Sequence, residues 1–200
     1  MKRFYLICGL LALSFFTASA QVTASLSLDQ NQFLPGETLP VTVRVTNLSG
    51  QTLHLGADSN WLTFSVESAD GFVVMKKSDP PVVGTFDLGS SEVATKVVDL
   101  APYFVLTKSG SYQVTATVRI KSWNTQIDSA PKSFDVIDGA RLWSQTFGVP
   151  VPAGATNQPP EVRKYIFEEA NYLRSQLRMY IEVTDAPEVR VFKVRAIGPM

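Results

Sequence analysis

His54 is the single histidine and Cys8 the single cysteine of the 200 residues. Nucleophilic catalysis needs an imidazole beside a hydroxyl or thiol, and a zinc site needs several such ligands. One residue of each type leaves few triads to consider, and no Ser-x-Gly elbow accompanies His54. His54 stands between Leu53 and Leu55, on the other side of an alternating run, so it is expected to point to solvent. Glu168 and Glu169 are adjacent. On a strand they face opposite sides and cannot work as a paired acid and base. Asp58, Asp70, Asp79, Asp87 and Asp99 are scattered over loops and strand ends, without the spacing of a calcium loop. No catalytic residue, metal site or cofactor is expected, and the chain reads as a non-enzyme.

The aromatic residues offer a different chemistry. Trp61, Trp123, Trp143 and Tyr103 have faces that could stack on a sugar ring, although aromatic side chains more often fill cores. Trp61 and Trp123 adjoin loop-forming residues, Ser59-Asn60 and Asn124-Thr125, and are the candidates for an exposed ligand-binding platform. Trp143 lies where the pattern of the chain changes and is expected to join two segments structurally. Asn47-Leu48-Ser49 matches the glycosylation triplet, but it also coincides with a turn that favours Asn and Ser. Arg163, Lys164, Arg174, Arg178, Arg190, Lys193 and Arg195 are offset by Glu161, Glu168, Glu169, Glu182, Asp185 and Glu188. That mixture reads as solvated strand faces with cross-strand ion pairs rather than a nucleic-acid patch.

The elements that hold these residues follow from hydropathy. Lys2 and Arg3, an apolar run from Phe4 to Phe16, and Ala18-Ser19-Ala20 form a secretory signal with a cleavage pattern, so the mature chain is expected to start at Gln21. Cys8 sits too early, and behind residues too large, for a lipid-anchor signal. With the leader removed, no transmembrane helix is expected, because no later apolar run reaches eighteen residues. The expected location is secreted or periplasmic. The 18 basic and 18 acidic residues balance, which gives no electrostatic footprint for nucleic acid.

Beyond the leader, apolar residues alternate at 22–28, 39–45, 53–55 and 62–66, the period of half-buried strands. Leu34-Pro35-Gly36-Glu37, Asn47-Leu48-Ser49-Gly50 and Asp70-Gly71 supply the turns. Residues 76–91 read as a loop with a short edge strand near 82–86. Strands resume at 93–100, 111–121 and about 126–137. Three further runs follow a strand at 141–149 and a Pro-rich linker at 150–160. These runs are 162–170, 174–184 and 189–197; in the second, Leu177, Met179, Ile181 and Val183 alternate, and residues 168–174 permit a helical turn instead.

Lys108-Ser109-Gly110-Ser111-Tyr112-Gln113-Val114 places a Gly two residues before a Tyr at the start of a long alternating strand. This resembles the tyrosine corner of immunoglobulin-like β-sandwiches, with Gly110 and Tyr112 in structural roles and Val114 where an antibody domain has its second cysteine. Lys108 replaces the family's Asp, and no tryptophan matches the one on its strand C. The resemblance is to the broad superfamily found in bacterial exported modules. It implies an all-β, antiparallel sandwich over 21–138, followed by a smaller β-rich segment, 139–200. That segment either packs on the sandwich or opens a second, incomplete domain. The expected function is an exported binding or spacer module that acts through protein–protein contacts, with another envelope protein or a polysaccharide as partner. The alternative is a carbohydrate-binding or accessory domain of a secreted enzyme.

Overall fold

The structure, a computed structural model, describes residues 22–150, 161–172 and 176–197. The expected leader lies outside them. The described residues form fourteen strands and one 3-10 turn. Strands β1 (Val22–Leu28), β2 (Gln32–Phe33), β3 (Pro40–Asn47), β4 (Leu53–Leu55), β5 (Leu62–Ser68), β6 (Phe86–Leu88) and β7 (Val93–Asp99) come first. They are followed by β8 (Gly110–Ile120), the turn Lys121–Trp123, β9 (Thr125–Asp128) and β10 (Lys132–Val136). The chain continues with β11 (Ala140–Val149), β12 (Glu161–Tyr172), β13 (Gln176–Asp185) and β14 (Val191–Ile197).

The first ten strands make a sandwich. One sheet has the order β1-β3-β7, the other β2-β10-β8-β5 with β9 also on β8, and β4-β6 form a small ribbon. Pairing is antiparallel except between β2 and β10. The alternation that marks the strands also fills the core. Val41, Val43 and Val45 of β3 face Leu62, Phe64 and Val66 of β5 and Val114, Ala116 and Val118 of β8 within one buried cluster. Each such side chain removed from water contributes roughly 1.5–3 kcal/mol. The run expected at 126–137 is two strands, interrupted at Ser129, whose hydroxyl accepts from the Ala116 amide at 3.0 Å. Asp70-Gly71 closes the expected hairpin, but its return strand is reduced to a single bridge between Glu67 and Val73. The edge strand expected at 82–86 lies later, at Phe86–Leu88, while Val82 is buried in the core.

Among the described residues β7 pairs only with β3, and its positions Ala94, Lys96 and Val98 stand opposite Val45, Val43 and Val41. A charged residue on the core-side face of an edge strand discourages the addition of a further strand. Lys96 stands beside an apolar crevice of about 270 Å³ lined by Val43, Val45, Trp61, Val82 and Phe86.

The last four strands form one antiparallel sheet in sequence order, β11-β12-β13-β14. β12 runs as strand through Tyr172, paired with Gln176, so residues 168–172 are extended rather than helical. The even-numbered face of this sheet packs on the sandwich. Tyr180, Ala170 and Val194 form a small core with Leu34, joined by Ile137 and Ala196.

Candidate functional site

The contact between sandwich and C-terminal sheet begins in the turn Leu34-Pro35-Gly36-Glu37. The Glu37 amide donates to the Leu34 carbonyl at 3.0 Å, and Gly36 takes φ +81°. Proline at the second position and a positive-φ glycine at the third define a type II turn. Gly36 also lies against β14, since a Cβ there would meet Val191 Cγ1 at 3.1 Å and Val194 Cγ2 at 3.2 Å. Glu37 bridges to Val194 in parallel fashion. Its carboxylate accepts from the Leu34 amide at 2.9 Å and from Gln30 Nε2 at 3.0 Å. Gln30 in turn accepts from Arg178 at 2.8 Å, and the Arg178 guanidinium lies 3.9 Å from the centre of the Tyr172 ring. Burial pushes the Glu37 carboxyl above its ordinary value, opposed by the hydrogen bonds from Leu34 and Gln30 and by Arg178. From sequence alone this turn is a connection between strands. The signal it held was a charged residue inside a turn that the fold buries.

A second charge cluster crosses the sheet. Arg141 on β11 donates to both Glu188 oxygens, at 3.2 and 2.7 Å, and Lys164 on β12 donates at 2.7 Å. The hydrogen bonds from Arg141 and Lys164 hold the exposed Glu188 carboxyl down at about 2. Burial pushes Glu168 and Glu182 upward; the charge of Glu168 adds to the shift of Glu182, and that of Glu188 adds to both, while Arg141 opposes them. Glu168 and Glu182 line an open cleft of about 780 Å³ between the sheet and the sandwich, which Glu37 and Arg190 also line. Among the described residues, no group of three His, Cys, Asp or Glu is placed to hold a metal ion.

The outer, odd-numbered face of the C-terminal sheet is the most distinctive surface. Trp143 pairs with Phe167, Gln145 with Tyr165, and Phe167 with Ile181. Phe147 stacks on Tyr165 with centroids 4.2 Å apart and planes 11° apart. Trp143 is 52% exposed, Tyr165 42% and Leu177 47%. Phe192 lies beside this pair with Arg163 and Arg190 both over its ring, at 4.6 and 4.8 Å. Phe147, Tyr165, Val183 and Phe192 line a shallow groove of about 440 Å³.

This placement revises the expected aromatic roles. Trp61 is not an exposed platform: it is 5% exposed, its Nε1–H donates to the Val82 carbonyl at 2.7 Å, and Phe86 meets it edge-on at 5.4 Å. The loop residues before it made it look accessible, but the segment around Val82 folds over the ring. Trp123, in the 3-10 turn, is half-buried and packs against the sandwich core, as does Tyr103. Trp143 does not join the two segments either. Its position on β11 turns it outward, and the junction is made by the smaller side chains of the opposite face.

The other sequence candidates are placed as follows. Tyr112 donates its hydroxyl to the Lys108 carbonyl at 2.7 Å, four residues upstream, and Gly110 takes φ +154°. His54 is exposed and its Nδ1 lies 2.6 Å from Asp87, across the β4–β6 ribbon; both side chains are more than two-thirds exposed. An ion pair so open to water contributes little. Asn47 is fully buried, and its amide nitrogen donates to the carbonyls of Gln51, Leu88 and Gly89. The glycosylation triplet is therefore a folded turn whose acceptor nitrogen is occupied. Glu168 and Glu169 do face opposite sides of β12, pairing with Tyr180 and Met179.

Neither a protein-family model nor a curated protein sequence matches the chain. Among solved structures it is similar to a Bacteroides uniformis beta-glucuronidase, at 18% identity and a TM-score of 0.34, over 62% of this chain and 13% of that one. It is also similar to Spo0M, a sporulation control protein from Bacillus subtilis, at 10% identity and a TM-score of 0.39, over 88% and 89% of the two chains. The chain thus spans a small part of the glucuronidase. Both likenesses are to all-β domains. Among the described residues, no helix is long and apolar enough to cross a membrane.

Proposed function

We propose that this chain is an exported, non-enzymatic module that works through protein–protein contacts made by its C-terminal sheet. One observation carries the reading. The sheet turns its more apolar side away from the sandwich: Leu177, Met179, Ile181 and Val183 line up with Trp143, Phe147, Tyr165 and Phe167 on the outer face. An aromatic-rich apolar surface rimmed by charge marks an interaction site on a soluble protein. The sandwich, in this reading an immunoglobulin-like one, is the rigid base. The Tyr112–Lys108 hydrogen bond supports that assignment. The signal pattern of residues 1–20 supports secretion or residence in the periplasm.

A glycan-binding role is better served by this face than by Trp61, which is enclosed, or by Trp123, which is half-buried. The stacked Phe147–Tyr165 pair with Arg163 nearby is the feature that favours it. A photo-reactive residue at Tyr165 of the exported chain, illuminated in the native envelope, separates the readings. A discrete protein adduct, absent when the same residue replaces Phe72, is the expected result. No protein adduct at Tyr165, with retention on a polysaccharide column, would replace the proposal by the glycan reading.

A further inference from the structure

We infer that the free edge of β11 pairs with the β11 edge of a second copy of this chain, antiparallel about a two-fold axis at Gln145. The inference rests on the protein-contact reading and names one partner for it.

The two edges of the C-terminal sheet are built differently. β14 is bridged to Glu37 of the sandwich, carries Lys193 and Arg195, and contains an irregularity opposite Val183–Thr184. Bulges and cations at an edge discourage strand addition. β11 pairs only with β12 among the described residues, and its positions 140–146 are all exposed. After its bulge at 141–143, the stretch Trp143-Ser144-Gln145-Thr146-Phe147-Gly148-Val149 holds no charge, although β12, β13 and β14 each hold several. A long, uncharged, unguarded edge is a template for another strand.

The sequence of that edge is self-complementary. With Gln145 on the axis, Trp143 stands opposite the second copy's Phe147, and Ser144 opposite its Thr146. Aromatic pairs and Ser/Thr pairs are favourable directly across antiparallel strands, and no like charges meet. A two-fold contact requires this kind of reciprocal match. Trp143 and Phe147 lie on the outer face, so the aromatic surface would run unbroken through both copies. An edge pairing of the five residues Trp143–Phe147 is small beside the roughly 1,200–2,000 Å² of standard interfaces, so a dimer no tighter than micromolar is expected.

The test uses the exported chain with Cys8→Ser, which removes the native thiol whether or not the leader is cleaved. Sedimentation from about 1 to about 100 µM should show a monomer–dimer equilibrium. Gln145→Lys, at an exposed position, should leave a folded monomer, because it sets two ammonium groups face to face. Under mild oxidation Gln145→Cys should cross-link to itself. Ser144→Cys should cross-link to Thr146→Cys, but neither to itself; cross-strand Cβ atoms are about 4.5–5.5 Å apart. Val97→Cys, exposed on β7, gives the random-collision rate. A monomer at about 100 µM, a dimer indifferent to Gln145→Lys, or cross-linking at Gln145 no faster than at Val97 would overturn the inference. A monomer that still forms the Tyr165 adduct with a different protein would overturn the dimer alone, while loss of both would remove the protein-contact reading as well.

Discussion

The Asn47 side-chain amide donates to the Leu88 carbonyl oxygen at 2.9 Å inside the sandwich, tying the end of β3 to the end of β6. The same nitrogen reaches Gln51 and Gly89, and its oxygen accepts from the Ser49 amide at 3.0 Å and hydroxyl at 2.7 Å. Asn47→Ala leaves the buried carbonyl of Leu88 without its donor. Loss of several such bonds, at about 1 kcal/mol each, predicts a destabilisation of roughly 2–4 kcal/mol. Asn47→Asp should cost at least as much, because a carboxylate would face carbonyl oxygens. Urea titration of the two variants checks the values. A loss below about 0.5 kcal/mol, the scale of an ordinary surface change, would show that water replaces the amide.

Tyr112 and Gly110 give a second prediction about the same sandwich. Tyr112→Phe keeps the ring, which stacks on Phe134 at 5.6 Å, and removes only the hydroxyl bonded to Lys108. The expected loss is about 1 kcal/mol. Gly110→Ala imposes a side chain on φ +154°, and its expected loss is roughly 1–3 kcal/mol. If the corner works as one unit, the double variant loses less than the sum of the two. Strict additivity in a double-mutant cycle would show two independent effects.

The strands were legible because alternation and turn chemistry are local. Val41, Val43 and Val45 announce a core face, and Gly36 and Gly71 do take the positive φ that their turns require. Which face of a strand meets a partner is not local. Leu177 to Val183 show the cleaner apolar alternation on β13, yet Tyr180 and Thr184 are the buried positions. The sandwich offers this sheet only a small apolar contact around Leu34, together with the polar chain of Glu37, Gln30 and Arg178. A face carrying Tyr180, Ala170 and charged residues fits that contact better than one carrying four large aromatic side chains. For the same reason Trp61 and Trp143 exchanged roles: the segment that covers Trp61 arrives from about twenty residues downstream, and no sequence neighbour foretells it.

Gly36 predicts how the junction responds to a single methyl group. Gly36→Ala strains the positive φ and drives a Cβ to within 3.1 Å of Val191 and 3.2 Å of Val194. Part of the contact between turn and β14 should be lost. Hydrogen exchange should quicken in 191–197 and in the neighbouring half of β13, while the β8 amides deep in the sandwich keep their protection. Equal acceleration in β8 and β14 would show that the sheet and the sandwich open together rather than at this seam.

The carboxylates of the C-terminal sheet predict a stability maximum on the acid side of neutrality. Glu168, Glu182 and Glu37 have folded pKa values raised above 4.5, chiefly by burial. The folded state therefore holds more protons than the unfolded one between 4.5 and those raised values, and stability falls as pH rises through that window. Glu188 has the opposite sign. Its folded value of about 2, set by Arg141 and Lys164, stabilises above 4.5 and is lost as pH falls toward 2. Water screens this exposed carboxylate, so its arm should weaken in salt. Thermal unfolding of the exported chain from acid to neutral pH should rise and then fall. Glu182→Gln removes a partly buried charge beside Glu168, so it should raise Tm at neutral pH, on the order of 1–2 °C. It should also flatten the neutral limb without moving the acid one. A Tm that climbs steadily to neutral pH in the unsubstituted chain would show that the cleft hydrates Glu168 and Glu182 more fully than their burial implies.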